Sequence, residues 1–291
     1  MGMELDSEIR RLYPFQSRFL ETGGHRLHYV DEGKGEPLLL LHGNPTWSFY
    51  YRNLIREFSP SFRCVAPDHI GCGLSEKPPD YPYRLSQHID NLEALADHLG
   101  LEDITLAVHD WGGAIGFGLA ARRPGRIKRL ILFNTAAFRS TRIPFRINIC
   151  RLPGFGALAI RGANAFAGAA VRMATTRPGG LPPEVRRGFL WPYRSWRDRV
   201  ATLRFVQDIP LNPSHPSWET LVDIEKALPT FRDRPALICW GGRDFCFNDS
   251  FLERWKTKLP GARVCRYAEA GHYVVEDALP EIVAEMRAFL D

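Results

Sequence analysis

"AVHDWGGAIGFG", residues 107–118, decides how the chain is read. Just before the turn, Ile104–Val108 is an uninterrupted apolar run, which predicts a short strand buried on both faces. After it, 111–122 is rich in small and apolar residues and predicts a helix that opens on Gly112 and Gly113. Asp110 therefore stands on a tight strand-to-helix turn, where serine, asparagine or glycine would be the ordinary choice. Alone, it would serve as a helix N-cap. The rest of the chain argues for a different role.

Working outward, 17–21 and 26–31 predict an antiparallel pair turned by Gly23-Gly24. Apolar strands are expected at 37–41, 62–66, 104–108 and 129–133, with helices over 86–99 and 111–122 between them. Continuous apolar strands alternating with helices imply an α/β fold, a mostly parallel sheet covered on both faces. The alternation stops near Phe138. Up to about Trp218 the pattern is helical, broken by Pro153-Gly154, Pro178-Gly179-Gly180, Pro182-Pro183 and Pro192. Strand signals return at 236–240 and 263–267, and 280–290 closes as a helix. The expected organisation is a core domain of 1–137 and 217–291, interrupted by a helical cap of 138–216. With no internal repeat or flexible linker, the cap should pack on the sheet.

At 45% hydrophobic and 24% charged, the composition is that of a globular chain. The first eleven residues are acidic and polar with no apolar core, so no signal peptide is expected. No stretch reaches the roughly 20 apolar residues of a membrane span. The six cysteines form no CxxC pair and show no short His/Cys spacing, which fits free thiols in a reducing cytoplasm and gives no ground for a metal site. The net charge of +5 is uneven: 138–216 holds 13 arginines, no lysine and three acids (Glu184, Asp198, Asp208). Those arginines read either as a solvated outer face or as an electropositive surface for an anionic membrane, an acidic partner or self-association. No recognition motif for nucleic acid accompanies them.

Ligands of open parallel sheets bind beyond the carboxyl ends of the strands. Asn44, Asp110, Asp244 and, after the last strand, His272 all fall at such ends. Their chain order matches the nucleophile, acid, histidine order of the nucleophile elbow. A carboxylate needs no deprotonation at neutral pH and attacks an electrophilic carbon directly, forming an ester. "EAGHYVVED" (269–277) supplies His272 as the base; Glu276 and Asp277 are expected to cap the last helix. "CWGGRDFCF" (239–247) supplies Asp244, whose alternative is an Asx-turn. The rival acid position, after 131–133, holds Asn134 and cannot act as an acid. "LHGNPTWSFYYR" (41–52) offers backbone N–H groups near Asn44, joined by that of Trp111. The amide of Asn44 and the indole of Trp111 add neutral donors suited to a large soft anion.

These motifs together resemble the haloalkane dehalogenases of the α/β-hydrolase superfamily, across essentially the whole chain. Asn44 with Trp111 as halide donors, and Asp244 as the acid, looks like the third subfamily. The resemblance implies that Asp110 displaces halide from a haloalkane, that Asn44 and Trp111 hold the halide, and that His272, oriented by Asp244, activates water against the ester, with no cofactor. The pattern is equally similar to the β-lactone decarboxylases of olefin biosynthesis, notably in "FVQDIPLNPSHPSW" (205–218) and "GGRDFCFND" (241–249). Those would open a long-chain β-lactone with the same aspartate, releasing carbon dioxide and an alkene. Dehalogenation is placed first, because Asn44 and Trp111 are what a departing halide requires. An epoxide hydrolase ranks lower, since it needs acidic tyrosines and the cap offers only Tyr193. A non-catalytic receptor or scaffold ranks last, because it predicts a broken triad. The Ala- and Gly-rich stretch 152–180 suits close helix packing or an apolar tunnel for an alkyl chain.

Overall fold

The computed structural model describes residues 5–291. Eight strands form one sheet: β1 (Arg18–Thr22), β2 (His25–Glu32), β3 (Pro37–Leu41), β4 (Arg63–Pro67), β5 (Ile104–Asp110), β6 (Ile127–Thr135), β7 (Ala236–Gly241) and β8 (Arg263–Tyr267). Their spatial order is β1-β2-β4-β3-β5-β6-β7-β8. The pairs β1/β2 and β2/β4 are antiparallel and every later pair is parallel. Within the parallel strands, successive side chains enter opposite layers. Leu39, Leu41, Leu106 and Val108 join one core, while Leu38, Leu40 and Ala107 join the other. A strand buried on both faces has no polar side, so its sequence shows an apolar run and no alternation.

Helices α1 (Ser7–Leu12) and α2 (Arg52–Phe58) precede α3 (Leu85–His98) and α4 (Trp111–Arg122). Between β6 and β7 lie α5 (Phe145–Ile149), a π-helical turn at Ala157–Gly162, α6 (Ala165–Met173), α7 (Pro183–Leu190), α8 (Val200–Gln207) and α9 (Trp218–Ala227), with no strand. After β7 come α10 (Asp249–Lys258), α11 (Val274–Asp277) and α12 (Leu279–Leu290). One core packs α3, α4, α9 and α10 on the sheet; the other packs α2 and α12.

Buried polar bonds tie the β6–β7 insertion down. Asp208 accepts from the Arg84 guanidinium (2.7 Å), the Leu85 N–H (2.8 Å) and the Ser217 hydroxyl (2.7 Å). The Tyr193 hydroxyl donates to the Thr46 carbonyl at 3.1 Å, and the Trp47 indole to the Gly188 carbonyl at 3.0 Å. Each unmade bond here would strand a buried polar group at about 1–3 kcal/mol. The insertion therefore lies over the loop after β3 and the start of α3, and Phe205 of α8 packs on Trp111 just past β5, at the strand ends where ligands of such sheets bind.

Candidate active site

Strand β5 runs two residues beyond the expected 104–108, because buried His109 still fits the sheet: its Nε2 meets the His272 carbonyl at 2.9 Å and its ring stacks on Tyr50 at 4.5 Å. Asp110 is thus the last strand residue. Its backbone sits at φ +51°, ψ −124°, and its side chain makes no cap to α4. A non-glycine residue held there costs about 1–3 kcal/mol and persists only where its surroundings impose it. The surroundings are close. A Cβ at Gly112 would strike the Leu41 carbonyl, one at Gly113 the Thr135 hydroxyl, and one at Gly43 the Asp110 carboxylate itself. Thr135 Oγ donates to the Asp110 carbonyl at 2.5 Å and fixes the bend from behind.

The Asn44 N–H donates to Asp110 Oδ1 at 2.7 Å. Oδ2 is left to face the pocket, 3.8 Å from His272 Nε2. On its other side, His272 Nδ1 donates to Asp244 Oδ2 at 2.8 Å, since a carboxylate can only accept. Asp244 Oδ1 takes the Cys246 N–H at 2.6 Å, so both of its oxygens are occupied although it is buried. Burial pushes the Asp110 carboxyl up from its ordinary value, and the nearby His272 and the Asn44 and Trp111 N–H groups pull only part of that back. Burial lowers His272, but the charge and hydrogen bond of Asp244, with the charge of Asp110, outweigh it and leave the imidazole raised. The pair is poised for charge to move between Asp110 and its neighbours.

All five expected residues come together. Asn44, Asp110, Trp111 and His272 line one cavity of about 370 Å³, and Asp244 stands directly behind His272. The remaining wall is mostly apolar, built from both the sheet ends and the insertion, including Phe138, Ala170, Val206 and Leu221. Asn44 Nδ2 donates one hydrogen to the Thr202 carbonyl at 3.2 Å, and its Oδ1 is buried without a partner among the described residues. The Trp111 ring packs on Phe205 at 5.2 Å.

Two expectations change, those for Glu276 and Asp277. Glu276 does not cap the last helix: it forms a buried, two-pronged ion pair with Arg52 across the second core. Asp277 instead accepts from the Gly271 N–H (2.7 Å), the Thr176 N–H (3.0 Å) and the Thr175 hydroxyl (2.5 Å), clasping the His272 loop to the end of α6. Tyr193, the acid an epoxide hydrolase would need, is fully buried against Thr46 and outside the cavity. Sequence reasoning also passed over Cys246 and Thr202, neither of which has a local signal. Cys246 lies with Asp244 and His272 in a cluster whose ligand atoms are within 4.8 Å. Burial pushes its thiol well up.

An aspartate on a strained elbow, a histidine between it and a second aspartate, and an apolar cavity at the head of a parallel sheet define an enzyme of the α/β-hydrolase fold. Residues 36–158 match the α/β-hydrolase fold family. Over 96% of this chain and 89% of the relative, the sequence is 47% identical to a cis-3-alkyl-4-alkyloxetan-2-one decarboxylase of Shewanella oneidensis. It is 32% identical to haloalkane dehalogenase 2 of Mycobacterium tuberculosis, over 94% of each. Among solved structures it is similar to the haloalkane dehalogenase DatA from Agrobacterium tumefaciens, with a TM-score of 0.84 at 26% identity, covering 94% of this chain and 96% of that one. The chain belongs to the α/β-hydrolase family that includes the haloalkane dehalogenases and the oxetanone decarboxylases.

Proposed function

We propose that the enzyme decarboxylates a cis-3,4-dialkyl β-lactone to an alkene, with Asp110 as nucleophile and 138–216 as the cap over the site. The observation that carries this choice over dehalogenation is the identity gap, 47% to the decarboxylase over 96% of this chain against 32% to the dehalogenase over 94% of it. It reverses the order that the motifs alone suggest.

The geometry supports a two-step course. Asp110 Oδ2, whose twin oxygen is held by the Asn44 N–H, attacks the ring carbon that bears the ring oxygen. That carbon–oxygen bond breaks with inversion, and the oxygen leaves as a carboxylate still attached through the neighbouring carbon. This carboxylate then departs as carbon dioxide. Its bonding pair becomes the new carbon–carbon double bond, and the ester bond to Asp110 breaks to restore the free carboxylate. Inversion followed by anti elimination yields the cis alkene. No water or oxidant is consumed. His272, held toward its protonated form, places a positive edge beside the released carboxylate, and Trp111 and the second Asn44 hydrogen supply neutral donors. The apolar wall suits two alkyl chains.

Dehalogenation is the second reading, favoured by the same Asn44 and Trp111 donors beside Asp110. Purified protein should be incubated separately with a cis-dialkyl oxetanone and with a broad set of bromoalkanes, following alkene and bromide. The expected result is alkene from the lactone at a rate well above any bromide release, with both lost in Asp110→Asn. Bromide release with an untouched lactone would reverse the choice, and full activity of Asp110→Asn would remove the nucleophile.

A further inference from the structure

From Trp111 to Pro183 the chain contains no acidic residue. The basic residues in the first part of that stretch are neutralised by the core: Arg122, Arg123, Arg126, Lys128 and Arg129 all pair with carboxylates. Around the cavity mouth they are not. Arg142 donates to the Ser250 hydroxyl, Arg146 approaches the Met173 sulfur and Arg151 donates to the Ile209 carbonyl. Among the described residues, none of these three is paired with a carboxylate.

The same segment, 142–173, carries exposed hydrophobics. Phe145, Leu152, Phe155 and Leu158 are 76%, 55%, 50% and 69% exposed, and Met173 of α6 joins them beside Arg146. Five of the nine large hydrophobics exposed among the described residues thus fall within 145–173. Such clustering within under thirty residues marks a contact surface. It also borders the mouth, because exposed Phe155, Met173, Arg142 and Arg146 line the cavity that ends at Asp110.

We propose that this face docks on an anionic lipid bilayer, placing the cavity mouth against the apolar phase. The headgroup boundary accepts cations and projecting Phe and Leu side chains at one depth, and each basic residue near an anionic surface strengthens partition about five-fold. A second copy fits poorly, since a symmetric contact would press unpaired arginines together with no acid in the stretch to offset them. Attachment would be peripheral: among the described residues no helix is long and apolar enough to cross a membrane. Docking stands whichever electrophile Asp110 attacks.

The test is flotation of the full chain with vesicles of phosphatidylcholine alone, or with one third phosphatidylglycerol. Binding should require phosphatidylglycerol and weaken sharply at ~1 M salt, where screening reaches within ~3 Å. The variant Phe145→Ser/Leu152→Ser/Leu158→Ser should lose at least about ten-fold in bound fraction. These side chains are exposed and do not line the Asp110 cavity, so its melting temperature should match the native protein. Should the triple variant melt early, Phe145→Ser and Leu158→Ser singly should each weaken binding. Absent flotation, flotation indifferent to phosphatidylglycerol, or undiminished binding by the variants would overturn the proposal. So would a dimer in sedimentation velocity that the triple variant abolishes, because a second copy would then own the face.

Discussion

Each ring nitrogen of His272 meets a different carboxylate: Nδ1 donates to Asp244 at 2.8 Å, and Nε2 lies toward Asp110 at 3.8 Å. The longer gap does not form a hydrogen bond, so the Nε2 edge faces whatever group reacts at Asp110. Attack by Asp110 does not need the imidazole, whereas water-driven release of an ester does. His272→Gln is therefore expected to accumulate an alkyl adduct on Asp110 when given a bromoalkane, visible as added mass on the intact protein. The same variant turned over on a β-lactone should carry no lasting adduct, because decarboxylation expels Asp110 without water. Equal adduct from both substrates would argue that a water step completes both reactions. At this scale the site was legible where a residue closes a strand: Asn44, Asp110, Asp244 and His272 each follow an apolar run or precede a helix. Asp277 and Thr202 were not legible, because their bonds to Thr175, Thr176 and Asn44 join segments about a hundred residues or more apart.

Two elements make the elbow, β5 and α4, and their closeness is set by what α4 lacks. Gly113 lies so near the Thr135 hydroxyl that a methyl group would displace it. That hydroxyl holds the Asp110 carbonyl, so the disturbance passes straight to the strained residue. Gly113→Ala should cost about 1–3 kcal/mol in denaturant unfolding, the usual range for overpacking a tight core, and lower turnover more than stability alone explains. A variant of native stability and activity would mean that α4 can retreat freely. The parallel strands were legible because burial on both faces leaves unbroken apolar runs. Helices α2 and α10 were not anticipated; each is short and mixes apolar with charged residues. What places α10 is tertiary: Phe251, Leu252 and Trp255 enter the first core, and the Trp255 indole donates to the Thr135 carbonyl at 2.8 Å.

For the molecule as a whole, the uneven charge of the sequence becomes partly a fastening device. Arg187 of the insertion pairs with Asp6 and Glu8 beside α1, and Arg139 pairs with Glu225 of α9. Composition revealed the asymmetry but not which arginines find partners, since pairing depends on chain ends and loops that meet only after folding. The deepest electrostatic clamp lies in the core. Buried Asp68 meets His28 Nδ1 at 2.8 Å and accepts the N–H groups of Ser48 (2.7 Å) and Leu74 (2.8 Å), holding the loop after β3 to the loop after β4. Burial alone would raise its carboxyl, but the charges of His28 and His42, with the hydrogen bonds, overcome that and bring it down to about 2. A carboxyl lowered on folding contributes stability above its unfolded value, near 4, and loses it as pH falls toward the folded value. The contribution is of order 2 kcal/mol at neutral pH. Asp68→Asn should therefore unfold at lower urea than the native protein at pH 7, by about 3–5 kcal/mol once the stranded His28 is included. That gap should stay level down to about pH 5 and narrow from about pH 4. A gap unchanged from pH 7 to pH 3 would show that the loss comes from packing, and that Asp68 works as a shape and not as a charge.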